Sequence, residues 1–180
     1  MLETPRLQLT PLSLSDAAAI QKIFPKWEIV EFLLGGVPWP YPEDGAVAYI
    51  RDVSLPAVER GEEWAWSIRL RSHPEIFLGA ISLFAKQDEN RGYWLDPDHQ
   101  RKGLMGEACE ATNRFWFETL QRPILRELKA AANVGSRKLS DRQGMQLVWE
   151  GHRNFVSGCL PAQIWELTAD RWDRCVRGEP

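Results

Sequence analysis

Gln100, Arg101, Lys102, Gly103 and Gly106 follow Asp96-Pro97-Asp98 directly and open a run in which Leu104, Ala108, Ala111, Phe115 and Leu120 recur at helical spacing. Residues of these types at the start of a helix suit the binding of a phosphate. A helix start presents unpaired amide hydrogens and the positive end of the dipole, and glycines let an anion approach the backbone. Arg101 and Lys102 add positive charge, and the spacing sets the helix start between Gly103 and Gly106. Upstream, Arg91 to Leu95 is short and rich in aromatic and branched side chains, as a strand should be, and Pro97 stops it by offering no amide hydrogen to a ladder. No Gly-Lys-Ser/Thr follows the turn, so it is not a Walker loop.

The elements that must position this turn read in order. Arg6 to Leu12 alternates as a half-buried strand, and Ala17 to Phe24 forms a helix closed by Pro25. Gly35 to Pro42 carries three prolines, two glycines and two aromatic residues, so it is a loop, either tucked onto the core or walling a cleft. Glu43 to Val53 returns to helical spacing, and Glu63 to Leu70 is a strand with Trp64, Trp66, Ile68 and Leu70 on one face. Arg71 to Glu75 turns it into Ile76 to Phe84, where Gly79 marks a bulge or a close approach. The polar turn Gln87 to Asn90 leads back to Arg91, so a three-strand meander delivers Leu95 to the phosphate turn. That meander argues against a Rossmann unit. After the long helix come a strand over Leu125 to Ala132, the break Asn133-Val-Gly-Ser136, and a short helix over Arg137 to Gln143 ending at Gly144. Strands at Leu147 to Glu150 and Gln163 to Thr168 close the chain, joined by a polar loop containing Gly158 and Pro161.

Composition limits the partners. A chain of 180 residues, 44% hydrophobic and 26% charged, is expected to form one domain over residues 1–180. Its net charge of −3 excludes a general nucleic-acid binder. Cys109, Cys159 and Cys175 lie far apart with no CxxC pair, which reads as free thiols and no metal site. Without a leader pattern or a long apolar run, the expected setting is cytoplasmic, away from membranes. Nine tryptophans fill a core or line a shallow groove.

The order of elements, and the stretch Gly92-Tyr-Trp-Leu-Asp-Pro-Asp-His-Gln-Arg-Lys-Gly-Leu-Met-Gly-Glu-Ala108 within it, resemble the GNAT superfamily of N-acetyltransferases. The likeness is greatest to the branch of the ribosomal-protein N-acetyltransferases. Glu3-Thr-Pro-Arg-Leu7, Asn133-Val-Gly-Ser136, Gly144-Met145 and Trp149-Glu-Gly151 carry it along nearly the whole chain. The resemblance implies an α/β (α+β) fold: a mixed, twisted, mostly antiparallel sheet of about seven strands, flanked by helices and splayed at its centre. It implies acetyl-CoA as co-substrate, no metal, and a primary amine as acceptor, on a protein N-terminus or a small molecule. The pyrophosphate would lie on Gln100, Arg101, Lys102, Gly103, Leu104, Met105 and Gly106. The amide of Leu95 would polarise the thioester carbonyl, Asn133 would bond the pantetheine arm, and Ser136 would protonate or orient the sulfur. Asn133 and Ser136 are equally good helix caps.

Two base positions of that family are empty, holding Asn90 and Ser157, and its usual tyrosine acid falls near Ser140, so tyrosine is not expected as the acid. Glu63, Glu89 and His152 remain as candidate bases, though residues of these types more often simply meet water. A base is also dispensable for an α-amine, whose pKa of about 8 leaves roughly a tenth neutral at pH 7; a lysine amine near about 10.4 needs more help. The empty positions leave room for a second reading, a non-catalytic acyl-CoA-binding module or sensor. Monomer and homodimer are both open, with tryptophans on the last strands as a candidate interface.

Overall fold

The computed structural model describes residues 1–178. Its strands are β1 (Leu2–Glu3), β2 (Leu7–Pro11), β3 (Glu63–Leu70), β4 (His73–Phe84), β5 (Arg91–Leu95), β6 (Ile124–Ala130), β7 (Gln146–Phe155) and β8 (Gly158–Thr168). Its α-helices are α1 (Ala17–Ile23), α2 (Trp27–Val30), α3 (Gly45–Ala48), α4 (Leu55–Glu59), α5 (Leu104–Arg114), α6 (Val134–Arg142) and α7 (Ala169–Arg177). The strands form two sheets, β1-β2-β3-β4-β5 and β6-β8-β7, with every ladder antiparallel. This is the mixed α/β architecture expected, with eight strands in place of seven because Leu2–Glu3 adds an edge. No helix among the described residues is long and apolar enough to cross a membrane.

The five-stranded sheet buries both faces. Leu7, Leu9, Trp66, Ile68, Leu78, Ile81 and Leu83 pack with Leu95, Leu104, Ala108 and Trp116 beneath α5. Ala65 and Phe77 on the opposite face pack with Ile20, Phe24, Ile29, Ala46 and Ile50 from the early helices. Burial of this kind contributes about 25 cal/mol per Å² of apolar surface and holds the strands in register.

Several elements depart from the sequence reading. The helix expected to end at Val53 runs on through a π-helical segment, Tyr49–Ser54, into α4. Pro56 stands where the π-helical segment gives way to α4, a place where the i→i+4 ladder is already interrupted. The last two strands are longer than expected, with a tight turn at residues 156–157 in place of a long polar loop. Pro161 therefore lies inside β8. It stands opposite Ala131, just beyond the end of β6, and its carbonyl accepts from Ala131 N at 2.8 Å, so the one ladder bond its missing amide hydrogen cannot give falls at the end of the β6–β8 pairing. The helix over Arg137 to Gln143 starts earlier, at Val134, because Asn133 caps it, and α7 has no counterpart in the expected order. Trp149 and Trp165 are half-buried, and the Arg153 guanidinium lies 4.3 Å from the Trp149 ring.

Candidate active site

No ladder joins β5 to β6; the two sheets meet at one point and then part. At that point Asn90 N donates to Arg126 O at 2.7 Å, and Arg126 N donates to Asn90 Oδ1 at 2.7 Å. The Asn90 side-chain amide also donates to Phe84 O and Lys86 O. A carboxylate at this position would face two carbonyls, which is why an amide and not an acid fits there. One residue on, buried Arg91 pairs with buried Glu127, and beyond it the strands enclose a wedge.

The β4–β5 ladder decides which backbone groups face the wedge. Phe84 N donates to Asn90 O and Asp96 N to Leu78 O, each at 2.8 Å, so the even-numbered residues of β5 bond to β4. In an antiparallel pair the alternate residues then turn their N–H and C=O groups the other way. Tyr93 and Leu95 therefore direct their amides towards β6. Gly79 permits the close pairing at this end, since a Cβ on it would lie 2.3 Å from Trp94 O. Opposite it the register slips past Leu78, so the bulge and the close approach suggested by Gly79 coincide.

At the mouth of the wedge stands the phosphate turn. Gly103, with φ of 76°, caps α5 in the left-handed region, and Arg101 shares that region with φ of 61°. Glu107 N is the first to reach an intrahelical acceptor, Gly103 O at 3.2 Å, which leaves the preceding amides as the open start of the helix. Leu104 is buried, and Met105 and Gly106 are half-buried. Two polar side chains of the turn are already engaged. Gln100 Nε2 donates to Leu95 O at 3.0 Å and Lys102 Nζ to Asp98 O at 2.8 Å, so both brace the turn, while Arg101 is exposed.

The Thr4 to Arg6 segment, given no role by sequence reasoning, holds the turn from below. Thr4 Oγ1, Arg6 N and Arg6 Nε all donate to the Glu107 carboxylate, and Arg6 Nη1 donates to Lys102 O at 3.0 Å. Burial pushes the Glu107 carboxyl up, but the bonds from Thr4 and Arg6 outweigh it and hold the group below its usual range. On the other face of β5, Trp94 packs edge-on against Phe24 at 5.1 Å, and Lys26 Nζ bonds Asp96 Oδ1 at 2.8 Å. The loop over Gly35 to Pro42 packs onto the core at Tyr41, which meets Phe24 at 4.9 Å, while Trp39 lies exposed beside Trp27 at 5.6 Å.

Across the wedge, Asn133 caps α6 by accepting from Ser136 N at 3.0 Å, as the capping alternative expects, and no bond engages its Nδ2 among the described residues. Nearby Arg137 Nε is buried without a partner. Ser136 Oγ meets Tyr93 Oη at 2.8 Å. Sequence reasoning missed Tyr93, though its alternation with Arg91 and Leu95 sets all three on one face. Ser140, where a tyrosine would otherwise fall, is fully buried and donates to Glu127 at 2.7 Å. Glu127 also receives Arg91 and Lys129. Burial pushes the Glu127 carboxyl up, yet the two cations outweigh it and hold it at about 2. Burial likewise depresses Lys129, against the pull of Glu127.

The structure does not bring Glu63 or Glu89 to Leu95. Glu63 pairs with Phe84, five residues along β4 from Gly79, or about 16 Å at strand rise. It is no solvated group either: it is 3% exposed, its Oε1 has no partner, and burial raises its carboxyl despite the neighbouring Ser82, Ser54 and Tyr49 hydroxyls. Glu89 sits in the turn before β5, 3.6 Å from Lys86. His152 is exposed on β7, and Ser157 is occupied with Glu31 O at 2.6 Å. A cavity of about 240 Å³ between Lys86, Trp116 and Arg126 lies behind Asn90, outside the wedge.

Solved structures share this architecture. RimJ of Mycobacterium smegmatis, in complex with CoA-disulfide, superposes with a TM-score of 0.79 at 16% identity over 96% of this chain and 88% of that one. The ribosomal-protein-S5-alanine acetyltransferase of Vibrio fischeri gives 0.78 at 15% identity, covering 94% and 97%. RimL, a ribosomal L7/L12 α-N-protein acetyltransferase in complex with coenzyme A, gives 0.77 at 16% identity, covering 93% and 97%. No curated protein matches the chain in sequence. The acetyltransferase (GNAT) domain family does match, over residues 6–146. That match runs from Arg6, which braces the turn, to the first residue of β7, so both walls of the wedge lie within it, and the chain belongs to the GNAT family of acetyltransferases.

Proposed function

We propose that the chain works as a single domain that transfers the acetyl group of acetyl-CoA directly to a primary amine, and that an α-amine, on a peptide or a small molecule, is its preferred acceptor. The observation that carries this reading is the direction of the β5 amides: Tyr93 and Leu95 turn theirs into a wedge whose mouth is the open start of α5. A pyrophosphate fits that start, with the amides of Arg101 to Gly106 as donors and the dipole behind them. The extended pantetheine arm fits the unpaired edge of β5 as an added strand would, with Asn133 Nδ2 as a donor from the far wall. The Leu95 amide then points at the thioester carbonyl and stabilises the charge that develops on its oxygen. Acetyl-CoA supplies the activated acyl group; the chain supplies orientation, donors and a dry wall.

The choice of an α-amine rests on what the wedge lacks. Glu63 and Glu89 stand at its closed end, so no side-chain carboxylate of the candidate set is positioned to deprotonate an ammonium. An amine with a pKa of about 8 brings its own neutral fraction, while one near about 10.4 does not.

Release of the CoA thiol from acetyl-CoA, followed across a panel of peptide α-amines, small-molecule amines and lysine side-chain amines, tests the reading. Turnover with α-amines above that with lysine amines is expected. Binding of acetyl-CoA without turnover on any amine would contradict it and leave an acyl-CoA-binding module.

A further inference from the structure

The hydroxyl of Ser136 has one rotational freedom left, and Tyr93 takes it up. The serine's backbone is fixed on both sides: its N–H is held by Asn133 Oδ1 at 3.0 Å, and its carbonyl by Lys129 Nζ at 3.3 Å. Its Oγ has one partner among the described residues, Tyr93 Oη at 2.8 Å. Either oxygen can donate in such a pair, but the two choices differ in cost. Among the described residues the Tyr93 phenol has no other acceptor, and Tyr93 is packed, half-buried, against the core beneath α5, where leaving a donor unpaired costs up to about 1–3 kcal/mol. Ser136 is half-buried too, but at the wall of the wedge, where its proton finds a partner whenever the wedge is filled.

We propose that Tyr93 is a positioning residue for acetyl transfer: its phenol donates to Ser136 Oγ, so that the serine's own proton points into the wedge at the coenzyme A sulfur. This rests on acetyl-CoA occupying the wedge as described above. In the transfer, the amine nitrogen forms the new C–N bond, the C–S bond breaks, and its electron pair leaves on sulfur. Ser136 hydrogen-bonds to that thiolate, which takes a proton from solvent as the amine loses its extra one there; Tyr93 keeps its proton throughout. Burial pushes the phenol well above its ordinary value, and the charge on Glu127 adds to this, so a donor is what it remains. The charged and titratable groups around the pair are Arg91, whose guanidinium lies 6.0 Å from the Tyr93 ring, Glu127 and Lys129 on β6, and Cys109 on α5. Arg91 is pinned in turn by Glu127, Asn113 and Gln143, so the ring rests on an anchored cation.

The pair is tested on the product complex, with no need to know the acceptor. Coenzyme A is bound to the protein, and its thiol is titrated by thiolate absorbance, as a difference from the CoA-free protein. A hydrogen bond to a charged group is worth about 1.5–3 kcal/mol, so the wild type should lower the bound thiol's pKa, and Ser136→Ala should raise it again by about one to two units. Tyr93→Phe should raise it by a smaller amount, and the double variant no further than Ser136→Ala alone, because Tyr93 acts through the serine. A Tyr93→Phe protein that binds coenzyme A with the thiol pKa unchanged overturns the proposal. Should that variant not fold, the wild type labelled with ¹³Cζ-tyrosine gives the answer, since there are only three tyrosines to assign. One tyrosine resonance should move as the bound thiol ionises, and no movement overturns the proposal. Failure of the wild type to bind coenzyme A would instead remove the acetyl-CoA reading itself.

Discussion

Asn90 and Arg126 tie the two sheets together with a reciprocal pair of hydrogen bonds, backbone to backbone and backbone to side chain, each 2.7 Å long. The wedge starts one residue later, so this pair sets where the sheets part. Asn90→Ala leaves Phe84 O, Lys86 O and Arg126 N without their partner in a part-buried place. A loss of about 1–3 kcal/mol in urea unfolding is expected. Asn90→Asp should not restore it, because a carboxylate gives the two carbonyls no donor.

Glu127 carries the charge balance between β5, β6 and α6. Replacing it by Gln strands Arg91 and Lys129 in the interior, and breaking a buried pair in this way costs about 3–5 kcal/mol. Its folded pKa, held at about 2, lies below the unfolded value of a glutamate, so the unfolded chain binds more protons between the two. The stability it contributes is complete above the unfolded value and drains away as pH falls through that window. Acid titration of unfolding should show the loss in the wild type and a flatter acid limb in Glu127→Gln.

Glu63 should behave in the opposite sense. Burial raises its folded pKa, so the folded chain holds the proton longer and ionisation destabilises it as pH rises through the raised value. Glu63→Gln removes that cost. The variant should gain on the wild type as pH rises from the acid side to neutrality, as read by thermal unfolding across pH; a difference independent of pH would contradict the assignment.

Gly79 faces Trp94 O too closely for any side chain. Gly79→Ala should lower stability by about 1–3 kcal/mol through overpacking, and should weaken acetyl-CoA binding as well, since β5 must shift where Leu95 faces the wedge. Unfolding and calorimetry on the same preparation would check both.

What was legible in the sequence was local. β5 ends just before Pro97 as expected, Gly103 stands where the chain turns left-handed, and the alternation of Trp64, Trp66, Ile68 and Leu70 sets a strand in one register. What was not legible joins residues far apart in the chain. Tyr93 meets Ser136 across 43 positions, and Arg6 meets Glu107 across 101, and no periodicity carries such pairs. Glu63 is a surface type by composition, and its burial follows from the helices packed over that face of β3. Pro161 reads as a loop residue, and only the early end of β6 explains its place inside β8.

Calorimetric binding of acetyl-CoA to the wild type and to Gly103→Glu, with ATP and NADH as controls, tests the central claim most directly. Gly103 holds a backbone conformation with φ of 76° at the open start of α5, so glutamate there strains the turn and adds negative charge where the pyrophosphate lies. Micromolar affinity for acetyl-CoA alone, about −8 kcal/mol, and its loss in the variant are expected. No binding of acetyl-CoA or any other acyl-CoA by the wild type would contradict the assignment of the wedge and its turn.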